Sequence, residues 1–170
     1  ILVTKAFGTS YVQLVQATQN GTTPIQTTTT ASTTKPAKLS YAPSGNISAG
    51  LAATGRAILS DLEYASGSSK LAQDRYASLA EIAEYLTQNT DKDIVLVGHS
   101  DNIGGLAINM SLAKKRAQSV VNLLVSNYGV KSSRISAEGA GYLSPLTTND
   151  TKQGRDTNRR VEVIIAPPKK

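Results

Sequence analysis

One charged side chain falls on the apolar face of a predicted helix, and this feature most constrains the fold. Residues 107–126 carry apolar side chains that share one broad face when each residue advances the helix by about 100°. Arg116 lies on that face between Leu112 and Val120. A buried guanidinium needs a carboxylate partner or an anionic ligand, because an uncompensated buried charge is strongly destabilising. The sequence therefore predicts either an internal ion pair or an anion-binding position at Arg116.

A second polar side chain follows the most strand-like segment of the chain. Residues 93–99 contain the continuous apolar run 94–97, which is typical of a central strand covered on both faces. Asp101 comes just after it, at the strand end where the loops of α/β domains commonly carry ligand sites. Its neighbours Ser100 and Asn102 also favour a turn, with Asp101 as its acceptor. From the residues alone, Asp101 is either a ligand group or a turn residue, and it is one candidate ion-pair partner for Arg116.

Strand and helix patterns alternate along the rest of the chain. The predicted elements are a short helix at 47–54, a strand at 57–64, a helix at 70–88, a strand at 93–99, a helix at 107–126 that leads to a cap at Gly129, and strands at 134–139 and 160–166. The long polar loop 141–158 is a candidate working loop. The predicted order is β-α-β-α-β-β, an α/β sandwich with two main helices packed on one face of a mixed four-stranded sheet.

The composition differs in the N-terminal third. Residues 1–19 are β-prone and are predicted to form a hairpin that remains from an upstream domain. Residues 20–50 are rich in Thr, Ser and Pro, with too little apolar surface to offset the entropy of ordering them. They are therefore predicted to be an extended linker, and the folded domain is expected over 51–168. Because the chain begins at Ile1 without Met, we expect it to be a fragment or a processed product.

The composition argues against several chemistries. The chain has no cysteine and one histidine, which leaves no thiolate site and no recognisable zinc site. His99, Ser100 and Asp101 are adjacent in sequence and do not provide the geometry of a hydrolase triad, so His99 is expected to be structural. We predict a protein that is not an enzyme and needs no cofactor. The net charge of +6 admits a nucleic acid, but the basic residues are scattered without aromatic interleaving, which argues against that partner.

A series of residues in order carries a resemblance to a known family. The matching positions are Gly98, His99, Ser100, Asp101, Asn102, Ile103, Gly104, Asn109, Leu112, Arg116, Ala117, Val120, Gly129, Val130, Arg134, Ile135, Gly139, Gly141, Pro145, Asn149, Gly154, Arg155, Asn158, Arg159, Arg160, Val161 and Glu162. This series resembles the OmpA-like peptidoglycan-binding domain, which OmpA proteins, the Pal lipoprotein and MotB-type stator proteins share. The resemblance covers about residues 57–166 and implies the same sandwich fold.

The resemblance also implies a ligand and the residues that bind it. In that family an aspartate and a helix arginine hold the ammonium and the carboxylate of diaminopimelate in the peptidoglycan stem peptide, and they match Asp101 and Arg116. The expected peptidoglycan-binding residues are Asp101, Arg116, Ser100, Asn102, Asn109, Ser66, Gly67 and Arg160. Strand alternation places Arg159 and Arg160 on opposite faces, so only one of them can line a given site. Two positions depart from the family pattern: Tyr64 stands where the family usually has Phe, and Ala65 stands where it often has Asp.

These residues predict a noncovalent anchor for the cell envelope. The expected location is the periplasm of a Gram-negative bacterium, in association with the outer membrane and the cell wall, and an upstream domain associated with the outer membrane is an expected partner. The alternative is a targeting module of a larger cell-wall enzyme or of a stator-like complex. In that case catalysis would reside upstream, because this chain lacks a catalytic set of residues.

Overall fold

The computed structural model describes residues 5–6, 9–10, 46–65 and 67–167, in two units that divide after residue 38. In the first unit, strands β1 (Lys5–Ala6) and β2 (Thr9–Ser10) form an antiparallel pair. The predicted linker lies outside the described residues up to position 45. Its last residues belong to helix α1 (Ile47–Thr54), which the sequence predicts. In the described part of the chain, no helix combines the length and the apolar character needed to cross a membrane.

The second unit is an α/β sandwich with a mixed sheet of four strands. After α1 its elements are β3 (Arg56–Leu59), α2 (Ala77–Gln88), β4 (Ile94–His99), α3 (Leu106–Tyr128), a 3-10 turn (Ser132–Arg134), β5 (Ile135–Gly141), α4 (Lys152–Asn158) and β6 (Val161–Ile165). The strand order is β3-β6-β4-β5, and β4 and β5 are the parallel pair. The core joins Leu96 and Val163 of the sheet to Leu79 of α2 and Val120 of α3. The predicted α/β architecture and its two main helices are confirmed.

Two predicted boundaries lie several residues from those of the structure. The strand expected to reach residue 64 ends at Leu59, and the helix expected from residue 70 begins at Ala77. Asp61 explains both differences, because its carboxylate accepts the backbone N–H of Ser78 in the first turn of α2, at 3.0 Å, and so the chain turns there. The predicted working loop contains helix α4, which Thr151 caps by accepting the N–H of Gly154.

The expectation that β4 is covered on both faces is wrong. Ile94 and Leu96 are buried, whereas Val95 and Val97 are only half-buried. Helices α1, α2 and α3 contribute to the core on one side of the sheet, and the register pairs Val97 with Glu162 on the opposite side. The face of the sheet away from these helices therefore carries a charged residue, although β4 itself is apolar at positions 94–97.

Two paired glycines let helix α3 approach the sheet closely. Gly98 of β4 and Gly139 of β5 stand opposite each other in the parallel ladder. A Cβ atom on Gly98 would lie 2.0 Å from the carbonyl oxygen of Ala113, and one on Gly139 would lie 2.3 Å from that of Met110. This contact sets the distance between the strand that ends before Asp101 and the helix that carries Arg116.

We expect Gly98→Ala to lower the free energy of unfolding by about 3 kcal/mol, because the added methyl must push backbone away from backbone. Urea denaturation followed by circular dichroism measures this loss. Gly105→Ala is the matched control, since nothing lies within 4 Å of a Cβ there and φ is −74°. Equal stability of the two variants would contradict close packing at Gly98.

Candidate functional site

A cavity of about 400 Å³ lies between the loop that follows β4 and the N-terminal half of α3. Asp101 and Arg116 both line it, as the resemblance predicts they should converge. The cavity falls within the volume range of about 300–1,000 Å³ that is usual for small-molecule sites. We call it the first cavity.

Arg116 presents a buried guanidinium that lacks an ion-pair partner among the described residues. Its Nε donates to the carbonyl oxygen of Ser68 at 2.9 Å, and its guanidinium carbon lies 5.2 Å from the centre of the Tyr64 ring. Burial lowers the pKa of Arg116, and the charge of Arg159 lowers it further, whereas Tyr64 and Asp101 raise it. A guanidinium nevertheless stays protonated in proteins. Of the two predicted alternatives, the internal ion pair is not formed among the described residues.

Asp101 combines a turn role with an accessible carboxylate. Its Oδ1 accepts the N–H of Ile103 at 3.1 Å, and its Oδ2 accepts from Arg159 at 2.5 Å. Arg159 also pairs with Asp156. An ionised carboxylate offers about four lone-pair positions, so these two bonds leave acceptor capacity towards the cavity. The two predicted roles of Asp101, as a turn residue and as a ligand group, are therefore compatible.

Three other expected site residues line the first cavity: Ser100, Gly67 and Asn109. The hydroxyl of Ser100 donates to the carbonyl oxygen of Asp101 at 2.9 Å. The side-chain amide of Asn109 donates to the carbonyl oxygens of Ile103 and Gly105, at 2.9 and 3.3 Å. Asn109 thus holds the loop that bears Asp101.

The remaining expected residues are placed differently. Asn102 is exposed and is not among the lining residues, and Ser66 lies outside the described residues. Arg160 is buried away from the first cavity, where its Nε donates to Glu162 at 2.7 Å. Arg159 takes the place expected for Arg160 and lines the cavity. Strand alternation explains why Arg159 and not Arg160 lines the cavity. Residues two apart share a face, so Arg160 lies beside Glu162 and pairs with it, whereas Arg159 points to the other face.

Glu162 is fully buried and is the centre of a charged cluster on the face of the sheet away from helices α1, α2 and α3. It pairs with Arg56 and Arg160, and His99 lies 3.7 Å from it. Burial raises the pKa of Glu162, but the two arginines outweigh burial and lower it below its ordinary value. Burial and the charge of Arg160 lower the pKa of His99 to about 4, so His99 is neutral at pH 7. His99 therefore has the structural position that the sequence predicts.

Tyr64 was not among the expected site residues, although it lines the first cavity. Its hydroxyl donates to the carbonyl oxygen of Arg116 at 3.1 Å, and its ring faces the guanidinium. Burial raises the pKa of Tyr64 to about 12, so the phenol remains neutral. The aromatic ring at position 64 is the sequence feature that could have indicated a place in the site, since a ring can hold an arginine by a cation–π contact.

The fold and the cavity define an α/β module with one concave site, which holds an acid and a guanidinium that no carboxylate of the described residues pairs with. Residues 63–159 match the model of the OmpA family, and the chain belongs to that family. This confirms the resemblance drawn from the ordered motif residues.

Several known proteins are similar to this chain. Outer membrane porin F of Pseudomonas aeruginosa is 34% identical over 105 residues, which are 62% of this chain and 30% of that protein. Outer membrane protein A of Bordetella avium is 41% identical over 92 residues, which are 54% of this chain and 47% of that protein. The chain thus spans less than half the length of these relatives.

Solved structures share the fold. The cell wall anchor of the T6SS from Pseudomonas aeruginosa matches with a TM-score of 0.52 and 30% identity, over 71% of this chain and 94% of that one. The peptidoglycan-associated lipoprotein from Burkholderia pseudomallei matches with a TM-score of 0.56 and 24% identity, over 62% of this chain and 89% of that one. The latter likeness concerns the fold alone.

Proposed function

We propose that this chain binds peptidoglycan noncovalently through the diaminopimelate of the stem peptide, and that it anchors the cell envelope without catalysing a reaction. The observation that carries the proposal is the guanidinium of Arg116, which no carboxylate of the described residues neutralises, in the same cavity as the carboxylate of Asp101. The free end of diaminopimelate presents an ammonium beside a carboxylate. Asp101 and Arg116 complement that zwitterion through charge-assisted hydrogen bonds.

The relatives support the same function. One is named as a cell wall anchor, and a mycobacterial relative that is 36% identical over 90 residues is named peptidoglycan-binding protein ArfA. The proposed location is the periplasm, in association with the outer membrane and the cell wall, because two other relatives are named outer membrane porin F and outer membrane protein A. In this proposal the predicted Thr-rich linker tethers the module to an upstream part.

Comparison of two kinds of cell wall tests the ligand. We expect the chain to sediment with sacculi that contain diaminopimelate and to bind sacculi with lysine at that position at least ten-fold more weakly. Lysine keeps the ammonium but lacks the carboxylate, so Arg116 would lose its partner, at a cost of about 2 kcal/mol or more. Asp101→Asn should reduce binding to the first sacculi by a similar factor.

Asp74→Asn is the matched control for that substitution, because Asp74 is exposed, lies outside the first cavity and undergoes the same change of charge. Equal binding to the two kinds of sacculi by the unmodified chain would contradict recognition of diaminopimelate. A targeting module of a larger cell-wall enzyme would bind sacculi in the same way, and the sequence of the complete gene distinguishes that alternative.

A further inference from the structure

His99 is a buried titratable side chain that the proposed function does not use. It is the one histidine of the chain, it is 3% exposed, and it lies beside Glu162 on the face of the sheet away from helices α1, α2 and α3. Both of its ring nitrogens lack a hydrogen-bond partner among the described residues. A neutral imidazole has a lone pair on one of these nitrogens, so His99 can take up a proton.

Charged side chains face His99 from two strands, and positive charge predominates among them. On β6, Glu162 lies 3.7 Å from the imidazole, and Arg160 pairs with the same carboxylate. Arg56 of β3 also pairs with Glu162. The neighbour of His99 on β5 is the uncharged Gly141, and helix α3 packs against the other face of β4.

A proton on His99 would change the balance of this group, which we call the His99 cluster. The cluster would then set three positive charges, on His99, Arg160 and Arg56, against the one carboxylate of Glu162. An excess charge in a buried position is destabilising, because little water reaches it. The strands that carry these side chains would therefore be driven apart.

The backbone connects the His99 cluster to the pair of Asp101 and Arg159. The N–H of His99 donates to the carbonyl oxygen of Arg160 at 2.8 Å, which joins the last residue of β4 to the residue before β6. Asp101 comes two residues after His99, and its partner Arg159 comes just before Arg160. A separation of the strands at this end would therefore move Asp101 away from Arg159.

We propose that the His99 cluster is an acid-sensitive switch, in which a proton on His99 opens the adjoining ends of β4 and β6 and displaces the loop that bears Asp101. The opening is a property of the free protein, and only its consequence for peptidoglycan binding rests on the proposed function.

The direction of the effect follows from the pKa of His99. Burial and the charge of Arg160 lower this pKa from its ordinary value of 6.5 to about 4 in the closed structure. In an opened segment the imidazole is solvated and regains its ordinary pKa. The closed structure therefore has its full stability above pH 6.5, and this stability is lost progressively as the pH falls from 6.5 to about 4.

Proton NMR measures the first requirement directly, because the chain contains one imidazole. We expect the Cε1 proton of His99 to titrate with a midpoint near pH 4 in the folded protein. A midpoint near pH 6.5 would show that the cluster does not resist the proton, and it would overturn the proposal.

Hydrogen exchange tests the opening itself. The bonded amides of His99 and Ser100 report on the end of β4 beside the site, and that of Ile165, which donates to Gly55, reports on the opposite end of β6. After correction for the intrinsic effect of pH on exchange, protection at His99 and Ser100 should fall about thirty-fold between roughly pH 6.5 and 4.5. Protection at Ile165 should fall by no more than about three-fold, because that end stays closed.

His99→Gln is the matched control, because its amide is polar and similar in size but takes up no proton in this range. The variant keeps the carboxylates that also titrate there, so the comparison isolates His99. Protection at Ser100 should fall by no more than about three-fold in the variant. Circular dichroism verifies its fold, and the NMR titration tests the proposal without any variant.

The outcomes separate the two proposals, because both measurements use the protein without ligand. Equal dependence of exchange on pH in the unmodified chain and in His99→Gln would overturn the switch. An equal loss of protection at Ser100 and Ile165 would also overturn it, because the opening would then not be local. Neither result would affect the proposed binding of diaminopimelate, which the sacculi test by themselves.

Discussion

Arg116→Ala is expected to abolish sedimentation with sacculi that contain diaminopimelate, through a loss of binding of roughly a hundred-fold, or about 3 kcal/mol. The guanidinium is 5% exposed, and the protein already holds it by the carbonyl oxygen of Ser68 and by the ring of Tyr64. Little side-chain ordering is therefore required when a carboxylate binds. Titration of sacculi against the purified chain at constant ionic strength measures the loss.

Two further substitutions distinguish the effect of the guanidinium on binding from the effect of positive charge on the helix. Arg116→Lys keeps the charge but loses the planar fork, and it should bind about ten-fold more weakly than the unmodified chain. Lys115→Ala removes an exposed charge from the neighbouring position of α3 and should leave binding unchanged. If Arg116→Ala and Lys115→Ala weaken binding equally, general basic charge is responsible and the anion position at Arg116 is refuted.

Glu162→Gln is expected to lower the free energy of unfolding by about 3–5 kcal/mol, the usual cost of removing one partner from a buried ion pair. Glu162 is fully buried and accepts from Arg160, whose side chain is 5% exposed, as well as from Arg56. A neutral amide keeps the volume of the side chain but not the charge that offsets these guanidinium groups. Urea denaturation at pH 7 measures the loss.

Glu138→Gln provides the comparison for this substitution. Glu138 lies on the same face of the sheet as Glu162, and it pairs with Lys114 at 3.0 Å as an exposed ion pair. Exposed pairs contribute about 0–1 kcal/mol, so this variant should be nearly as stable as the unmodified chain. A loss below 1 kcal/mol for Glu162→Gln would show that the cluster does not support the sheet.

The predicted elements that matched the structure share a local cause. The apolar spacing of residues 107–126 predicts helix α3, the continuous apolar run 94–97 predicts strand β4, and Gly129 ends α3 in a left-handed conformation with φ of 70°. Apolar spacing and caps are properties of neighbouring residues, so a sequence displays them directly. The elements that were misplaced depend on distant contacts, such as the bond from Asp61 that begins α2 at Ala77.

The sequence by itself determined the family, the order of the strands and of the two main helices, and the two residues that share the first cavity, Asp101 and Arg116. These follow from ordered motifs and from an arginine on an apolar helix face. Only the tertiary structure decided which charges pair. Asp101 pairs with Arg159, 58 positions away, and Arg116 rests on Tyr64 without a carboxylate among the described residues. The physical reason is that a side chain's partner depends on which elements the core packs together. The spacing of residues along the chain does not encode the distance between two side chains on different elements.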